Sequence, residues 1–256
     1  MRGINELKQR LASGGLAVGT WCVIPSPDVA DILGSSGLDF LIIDMEHGPT
    51  SYETAQHMAQ AAESRGASPL IRVPDDDPAG ILRALETGAH GVVVPGVTDP
   101  LQAEAIVQAV KYPPRGRRGL SPFTRSSGFT SAASEMIPSQ QNEQSLCVLI
   151  VEGKEGLAAF ASIAAVPDVD VVYIGTYDLS QVMGHPGQPR HPEVQAAVRS
   201  CVHAAARSRV TLGCLVESKE ELESARELGV RFLAYSADCA LLAQAAQGIV
   251  QAVRRP

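Results

Sequence analysis

Three titratable side chains stand within four residues at the end of one apolar run. The run Phe40-Leu-Ile-Ile leads directly into Asp44, Glu46 and His47 before Gly48 and Pro49 end it. A short apolar run bounded by turn residues is typical of a buried strand in a parallel sheet. Because α/β folds bind their ligands where such strands end, the cluster predicts acid–base chemistry or a metal shell. On these residues alone, a group of helix caps is the alternative.

Charged residues also end three other apolar runs, which lead to Arg72, Glu152 and Asp178. Glu217 and Asp238 follow the last two runs and are interpreted as helix caps. Each of these residues could be a cap or a surface charge, but carboxylates crowded on one rim need a cation or protons to offset their repulsion. Two carboxylates and several waters are typical of Mg²⁺ or Mn²⁺ sites, whereas zinc prefers more histidine or cysteine.

A metal held by carboxylates, an arginine and a histidine together favour one class of chemistry. The metal and the arginine can hold a 2-oxo acid and stabilise its enolate as charge develops on oxygen. The histidine can then move the proton that makes or breaks a carbon–carbon bond, directly or through a metal-bound water. No lysine ends a strand, since Lys154 lies two residues beyond Glu152 at a helix start, and this argues against a Schiff base.

Strand and helix patterns alternate along the whole chain, which is the arrangement needed to bring these strand ends together. The predicted strands are 17–24, 40–44, 69–73, 91–97, 146–152, 169–175, 210–216 and 231–236. The predicted helices are 5–12, 27–36, 51–65, 78–87, 100–111, 154–165, 192–208, 219–228 and 239–254. Eight strand–helix units without a change of composition predict a single α/β domain over residues 1–256, a (β/α)8 TIM barrel. An open doubly wound sheet is the alternative, but no Gly-x-Gly-x-x-Gly follows the first strand.

Two connections are longer than the alternation requires. The segment 112–144 is polar and rich in proline, glycine and arginine, and we interpret it as a lid or a subunit contact. The segment 184–192 contains three prolines, and its His185 and His191 flank two of them. Because the loop follows Asp178, one of them could reach the rim, but we interpret both histidines as braces of this loop.

The overall composition excludes several classes of protein. A net charge of −7 and a pI near 5.4 argue against nucleic-acid or anionic membrane partners. No apolar run reaches the roughly 18 residues that a membrane span needs, and the N-terminus has no apolar signal core. The five cysteines are scattered without a Cys-x-x-Cys pair, which favours reduced thiols and a cytoplasmic location.

A set of short motifs occurs in order over nearly the whole chain. They are Gly19-Thr-Trp, Asp44-Met-Glu-His47, Pro69-Leu-Ile-Arg72, Leu85-Glu-Thr-Gly-Ala89, Val94-Pro95, Tyr112-Pro-Pro-x-Gly-x-Arg-Gly119, Val151-Glu152 and Gly175-Thr-Tyr-Asp-Leu-Ser180. With them the sequence resembles the HpcH/HpaI aldolase family, metal-dependent class II pyruvate aldolases of the phosphoenolpyruvate/pyruvate barrel superfamily. Its members include 4-hydroxy-2-oxoheptanedioate and 2-dehydro-3-deoxy-sugar-acid aldolases.

The resemblance implies a role for each matching residue. His47 is expected to be the catalytic base, Arg72 to bind the 2-oxo acid and stabilise the enolate, and Glu86 to pair with the histidine. Glu152 and Asp178 are expected to ligate Mg²⁺, Mn²⁺ or Co²⁺. The expected substrate-binding residues are Arg72, Thr176, Tyr177 and Asp178, and the expected supporting residues, near which metal-bound waters are held, are Asp44 and Glu46.

The implied reaction is retro-aldol cleavage of a 4-hydroxy-2-oxo acid to pyruvate and an aldehyde, with the reverse condensation.

The sequence departs from the family pattern at three positions. Ile150 stands where a substrate-contacting glutamine is usual, Tyr177 where a small residue is usual, and Glu86 where aspartate is usual. Ile150 and Tyr177 leave one alternative open, an enolate-condensing or citrate-lyase-like enzyme acting on an oxo acid or acyl thioester. A non-catalytic barrel that binds a metabolite or serves in assembly is a further alternative, against which the intact base, arginine and metal pair argue. Three arginines of the long loop, Arg117, Arg118 and Arg125, suggest an anionic aldehyde.

The resemblance also implies a homo-oligomer, a hexamer or trimer of dimers, in which C-terminal helices are exchanged between barrels. The last helical pattern carries the apolar residues that such an exchange needs: Leu241, Leu242, Ala245, Ile249 and Val253.

Overall fold

Eight parallel strands form a closed barrel in which each strand pairs with its neighbours in chain order. The computed structural model describes residues 5–254. The strands are β1 (Ala17–Cys22), β2 (Phe40–Asp44), β3 (Ser68–Arg72), β4 (Gly91–Val94), β5 (Leu146–Val151), β6 (Val171–Ile174), β7 (Thr211–Val216) and β8 (Phe232–Ala237). The predicted TIM barrel is confirmed, and the alternative of an open sheet is excluded because β1 pairs with both β2 and β8.

Helices surround the barrel. They are α1 (Glu6–Ala12), α2 (Pro27–Ser35), α3 (Tyr52–Ser64), α4 (Pro78–Glu86), α5 (Pro100–Val110), α6 (Ile137–Gln144), α7 (Lys154–Ala158), α8 (Phe160–Ile163), α9 (Thr176–Val182), α10 (Pro192–Ala205), α11 (Lys219–Glu227) and α12 (Asp238–Arg254). Asp77 and Asp99 cap α4 and α5 immediately before first-turn prolines, as their sequence predicts. Within residues 5–254, no helix combines the length and apolar character that crossing a membrane requires.

Three helical regions differ from the prediction. The predicted helix 154–165 is two short helices, α7 and α8, which are separated at Ala159. α9 was not predicted, although it carries the residues expected at the substrate site. The segment 112–144 contains α6, and its two ends are joined by Asn142, whose side chain exchanges two hydrogen bonds with the backbone of Tyr112. The sequence of α6, IPSQQNEQ, has almost no apolar stripe, so periodicity could not reveal it.

The barrel interior is closed at one end and open at the other. Phe40 and Phe232 stack inside it with ring centroids 4.0 Å apart. Gly19 makes room for them, because a Cβ there would lie 2.3 Å from the carbonyl oxygen of Phe40. At the N-terminal end of the strands, Leu7 and Leu11 of α1 pack into the same cluster. The interior is therefore accessible from the C-terminal ends of the strands.

Candidate active site

A cavity of about 450 Å³ opens at the C-terminal ends of the strands. Eight residues predicted from the sequence line it or touch its lining residues. Those in the lining are Asp44, His47, Arg72, Glu152, Thr176, Tyr177 and Asp178. Glu46 joins them by an ion pair with Arg72. The barrel thus brings together residues that are separated by up to 134 positions in the chain, because parallel strands end on the same rim.

Arg72 is fixed from several sides at the end of β3. Its Nε donates to Asp44 Oδ1 at 2.9 Å, and its Nη2 donates to Asp44 Oδ2. Its Nη1 lies 3.1 Å from Glu46 Oε2, and the guanidinium carbon lies 4.3 Å from the centroid of the Trp21 ring. A guanidinium held by a carboxylate fork and an aromatic face keeps one orientation, so its charge can act at a defined place in the cavity.

Asp44 is 1% exposed and organises both Arg72 and the following turn. Its Oδ1 also accepts hydrogen bonds from the backbone N–H groups of Glu46 and His47, at 3.0 and 3.2 Å. Burial alone raises the pKa of a carboxyl, but the hydrogen bonds and charge of Arg72 and these N–H groups lower the pKa of Asp44 below its ordinary value. Asp44 is therefore an ionised anchor for Arg72 and for the turn that carries His47.

The remaining carboxylates repel one another. Burial raises the pKa of Glu152, and the charge of Asp178 raises it further, although the N–H of Gly96 donates to Oε1 at 2.8 Å. Burial also raises the pKa of Glu46, and the negative charges of Asp44 and Asp178 raise it further. Glu46 Oε2 is buried against Arg72 Nη1 at 3.1 Å, in an ion pair without hydrogen-bond geometry. The site consequently holds more negative charge than Arg72 alone offsets.

Thr176, Tyr177 and Asp178 form the first turn of α9, directly after β6. No side chain caps this helix start, so its first N–H groups remain available. The Tyr177 side chain lies toward the end of β7, where its hydroxyl donates to the carboxylate of Glu217 at 3.0 Å. Glu217 is thus a hydrogen-bond partner of Tyr177 and a lining residue of the cavity. The prediction that Glu217 is a helix cap is wrong, because Ser218 caps α11.

His47 lies on the rim with its side chain 63% exposed. The carboxylate beside it is Glu46, whose Oε1 is 4.0 Å from His47 Nε2. The expected pairing of His47 with Glu86 is not formed within the described chain. Glu86 ends α4 and faces the long loop, where Arg118 Nη2 donates to it at 2.8 Å. Helix α4 lies outside the barrel, which directs Glu86 away from the cavity.

The loop arginines also face away from the cavity. Arg118 is buried against Tyr112 and pairs with Glu86. Arg125 pairs with Glu63 and donates to the carbonyl oxygens of Thr87 and Gly88. None of the three predicted arginines, Arg117, Arg118 and Arg125, lines the cavity of this chain, so the suggestion that they bind an anionic aldehyde has no support from the fold. Arg118 and Arg125 instead attach the long loop to α4 and α3.

Most of the chain matches one family of known proteins. The model of the HpcH/HpaI aldolase/citrate lyase family matches residues 17–245, which include every strand of the barrel. The chain belongs to the HpcH/HpaI aldolase/citrate lyase family. It is an aldolase, a carbon–carbon lyase, as the sequence motifs predict.

Individual members of the family align over nearly their full length. A hydroxypyruvate/pyruvate aldolase of Pseudomonas aeruginosa is 38% identical over 93% of this chain and 89% of its own. A 2-dehydro-3,6-dideoxy-6-sulfogluconate aldolase of Pseudomonas putida is 36% identical over 93% and 92%. A solved HpcH/HpaI family structure from Burkholderia cenocepacia J2315 superposes with a TM-score of 0.93 at 31% identity, covering 98% of this chain and 100% of the other.

Within this HpcH/HpaI aldolase, four contributors to the site were not predicted. Trp21 supports Arg72, and its indole N–H donates to the hydroxyl of buried Tyr173 at 3.2 Å. Gly96 supplies a backbone donor to Glu152, and Glu217 anchors Tyr177. The motif Gly-Thr-Trp could have pointed to Trp21, since an aromatic ring near the end of a barrel strand faces the site. The others depend on contacts across the barrel that no local pattern encodes.

Proposed function

We propose that this aldolase cleaves a 4-hydroxy-2-oxo acid to pyruvate and an aldehyde, and that it also catalyses the reverse condensation. The observation that carries the proposal is the fixed guanidinium of Arg72, which shares one cavity with the carboxylates of Glu152 and Asp178. A 2-oxo acid needs positive charge at its carbonyl oxygen when the bond between C3 and C4 breaks, because the electron pair moves toward that oxygen. Arg72 is the charged donor in this cavity that can supply it.

A divalent cation fits the donor set of this cavity. Glu152 and Asp178 are the residues that would hold it, with waters near Asp44 and Glu46. Burial first and neighbouring carboxylates second raise the pKa values of Glu152 and Glu46, which is the electrostatic setting in which a bound cation stabilises the ionised carboxylates. Because the donors are oxygens, Mg²⁺, Mn²⁺ or Co²⁺ suit the site. Bound there, the cation supplies further positive charge to the enolate oxygen.

The proton steps fall to His47 and its neighbour Glu46. In cleavage, the base removes the proton of the C4 hydroxyl, the C3–C4 bond breaks, the aldehyde leaves, and the enolate takes a proton at C3 to give pyruvate. The uncapped N–H groups at the start of α9 are suited to the carboxylate of the 2-oxo acid, together with Thr176. Ile150, which is 2% exposed, lines the cavity without a polar group.

The test is pyruvate release from a panel of racemic 4-hydroxy-2-oxo acids. We expect release that stops with EDTA and returns when Mg²⁺, Mn²⁺ or Co²⁺ is restored. Activity that is indifferent to the chelator would contradict the proposed cation. If no acid of the panel is cleaved while oxaloacetate or an acyl thioester is consumed, the condensing alternative replaces the proposal.

Gly175 provides a prediction that concerns the position of the Glu152 carboxylate. A Cβ at residue 175 would lie 2.8 Å from both Cβ and Oε2 of Glu152, although the backbone itself tolerates alanine at φ −78°. We expect Gly175→Ala to displace the carboxylate and to lower cation affinity and kcat/KM about 10- to 100-fold, as changes next to metal ligands do. The matched control is Gly80→Ala, where the nearest atom is 3.6 Å away. Equal cation affinity in the two variants would refute the expectation.

We further propose that the protein is a cytoplasmic homo-oligomer. Five free cysteines support a reducing location. Helix α12 supports assembly, because Asp238 is its one buried residue among those described while Leu242, Ile249 and Val253 are 65%, 69% and 78% exposed. An apolar helix face of this kind needs a partner, and exchange of α12 between barrels of a hexamer would supply it.

Substitutions on α12 test the assembly. We expect Leu242→Glu combined with Ile249→Glu to lower the molar mass measured by light scattering, because charged side chains cannot be buried unpaired in an interface. Gln247→Glu, which adds charge to an exposed polar position on the same helix, serves as the control. A mass that is the same for wild type and the double variant would exclude α12 from the contact.

A further inference from the structure

Two histidines on the connection between α9 and α10 meet a glutamate in the first turn of α10, outside the cavity. They are His185, His191 and Glu193, and each offers a nitrogen or oxygen ligand atom within 4.8 Å of the others. The two imidazole rings stack with centroids 3.4 Å apart and planes inclined by 17°. His185 Nε2 lies 3.2 Å from Glu193 Oε2. None of these residues lines the aldolase cavity.

These separations suit a shared metal ion. Two ligands that each lie about 2.0–2.1 Å from a tetrahedral ion are about 3.3 Å apart, as follows from ordinary zinc–nitrogen and zinc–oxygen distances. The gap of 3.2 Å between His185 and Glu193 matches that spacing. The His191 ring stacks on the His185 ring, so its ligand atom belongs to the same cluster. Because stacked rings direct their lone pairs side by side, one imidazole has to rotate about its side-chain torsions before both nitrogens bind the same ion.

The backbone of the connection that carries the two histidines is already restrained. Its backbone forms a chain of hydrogen bonds from His185 N to Ser180 O, from Gln188 N to His185 O, and from His191 N to Gln188 O, at 2.8 to 3.0 Å. Three prolines further limit the backbone freedom of this segment. A ligand set on a restrained loop loses little conformational entropy when it binds an ion.

We propose that His185, His191 and Glu193 form a second cation site, which takes a divalent transition metal such as Zn²⁺ or Co²⁺ and leaves a fourth position to water. Two imidazoles with one carboxylate favour these metals over Mg²⁺, which prefers oxygen ligands. The site is distinct from the oxygen-rich cavity and does not depend on the proposed reaction. Its ion would join the segment that follows α9 to the first turn of α10.

Binding of the ion would replace two existing contacts of these side chains. The ion takes the place of the proton shared by His185 and Glu193. It also removes the 3.3 Å hydrogen bond that His191 Nδ1 accepts from the N–H of Glu193 as the cap of α10, whichever imidazole nitrogen coordinates. The positive end of the α10 dipole opposes a cation, and the Glu193 carboxylate offsets it. Arg190, the nearest arginine in sequence, is occupied by Glu221 and Glu217.

The site is tested by titrating Co²⁺ into the full-length Glu152→Gln protein, in which the cation site of the cavity is removed. We expect one Co²⁺ per chain with the visible absorption of a low-coordinate ion. Adding His191→Asn keeps a side-chain cap on α10 but removes an imidazole, and it should weaken binding by at least about tenfold. Adding His185→Gln should have the same effect.

The matched control is His203→Asn, which removes an exposed histidine further along α10. It should leave the titration unchanged. The proposal is overturned if Glu152→Gln binds no Co²⁺, or if His191→Asn binds it as tightly as the control. Failure of the aldolase assignment would appear instead as the absence of pyruvate release from the wild type, and it would leave this titration as it is.

Discussion

Replacement of Arg72 by lysine is expected to lower kcat/KM for pyruvate release by about 10³-fold, mainly through kcat, because a preorganised donor to the developing oxyanion contributes about this much. Lysine keeps the charge, but it cannot reproduce the fork to Asp44 while it also contacts Glu46 and lies over Trp21. Steady-state kinetics with the best acid of the panel measures the effect.

Arg65→Lys is the matched control for this substitution. Arg65 forms a similar two-point pair with Asp31, at 2.7 and 2.9 Å, but on the surface between α3 and α2. Its exchange should leave kcat/KM unchanged. Truncation of the side chain in Arg72→Ala should also destabilise the fold by about 3–5 kcal/mol, because it leaves the buried charge of Asp44 without its partner. Retention of more than a third of wild-type kcat/KM in Arg72→Lys would contradict the role of Arg72.

The second large effect concerns Glu152. We expect Glu152→Gln to abolish pyruvate release and cation binding in the cavity, since the substitution removes charge and hardly changes shape. In the absence of cations the same variant should be more stable than the wild type. Burial and Asp178 raise the pKa of Glu152, so the folded protein binds this proton more tightly than the unfolded chain does. Stability therefore falls as pH rises through the window above the ordinary pKa of glutamate.

Thermal denaturation at neutral pH with EDTA measures this second effect. Glutamine has no charge to bury, so the Tm of Glu152→Gln should exceed that of the wild type, and Mg²⁺ or Mn²⁺ should no longer raise it through the cavity. Glu155→Gln, an exposed position in the first turn of α7, is the control and should change neither Tm nor activity. A Tm below that of the wild type would mean that Glu152 stabilises the fold rather than the bound cation.

The sequence by itself determined the barrel and the identity of most of its site. Strand and helix periodicities are local, and eight such units can bury their apolar strands completely only by closing. Once the strands are parallel, the residues that follow them must lie on one rim. That is why Asp44, Arg72, Glu152 and Asp178 could be assigned to one cavity before any coordinates were known.

Tertiary structure decided the contacts between side chains that are remote in sequence. Glu86 has the carboxylate that a histidine partner needs, but the direction of α4 places it against Arg118 and not against His47. The motif Gly-Thr-Trp marks Trp21 without saying that its ring lies against Arg72, and no motif marks the hydrogen bond from Gly96 to Glu152, because both contacts join residues that are remote in sequence.

The same holds outside the cavity. His185 and His191 are six positions apart in a proline-rich loop, and only the path of that loop stacks their rings beside Glu193. Periodicity records which residues face a core, since burial repeats along a helix or strand. It does not record the distances across a core or a loop on which ion pairs, hydrogen bonds and metal sites depend.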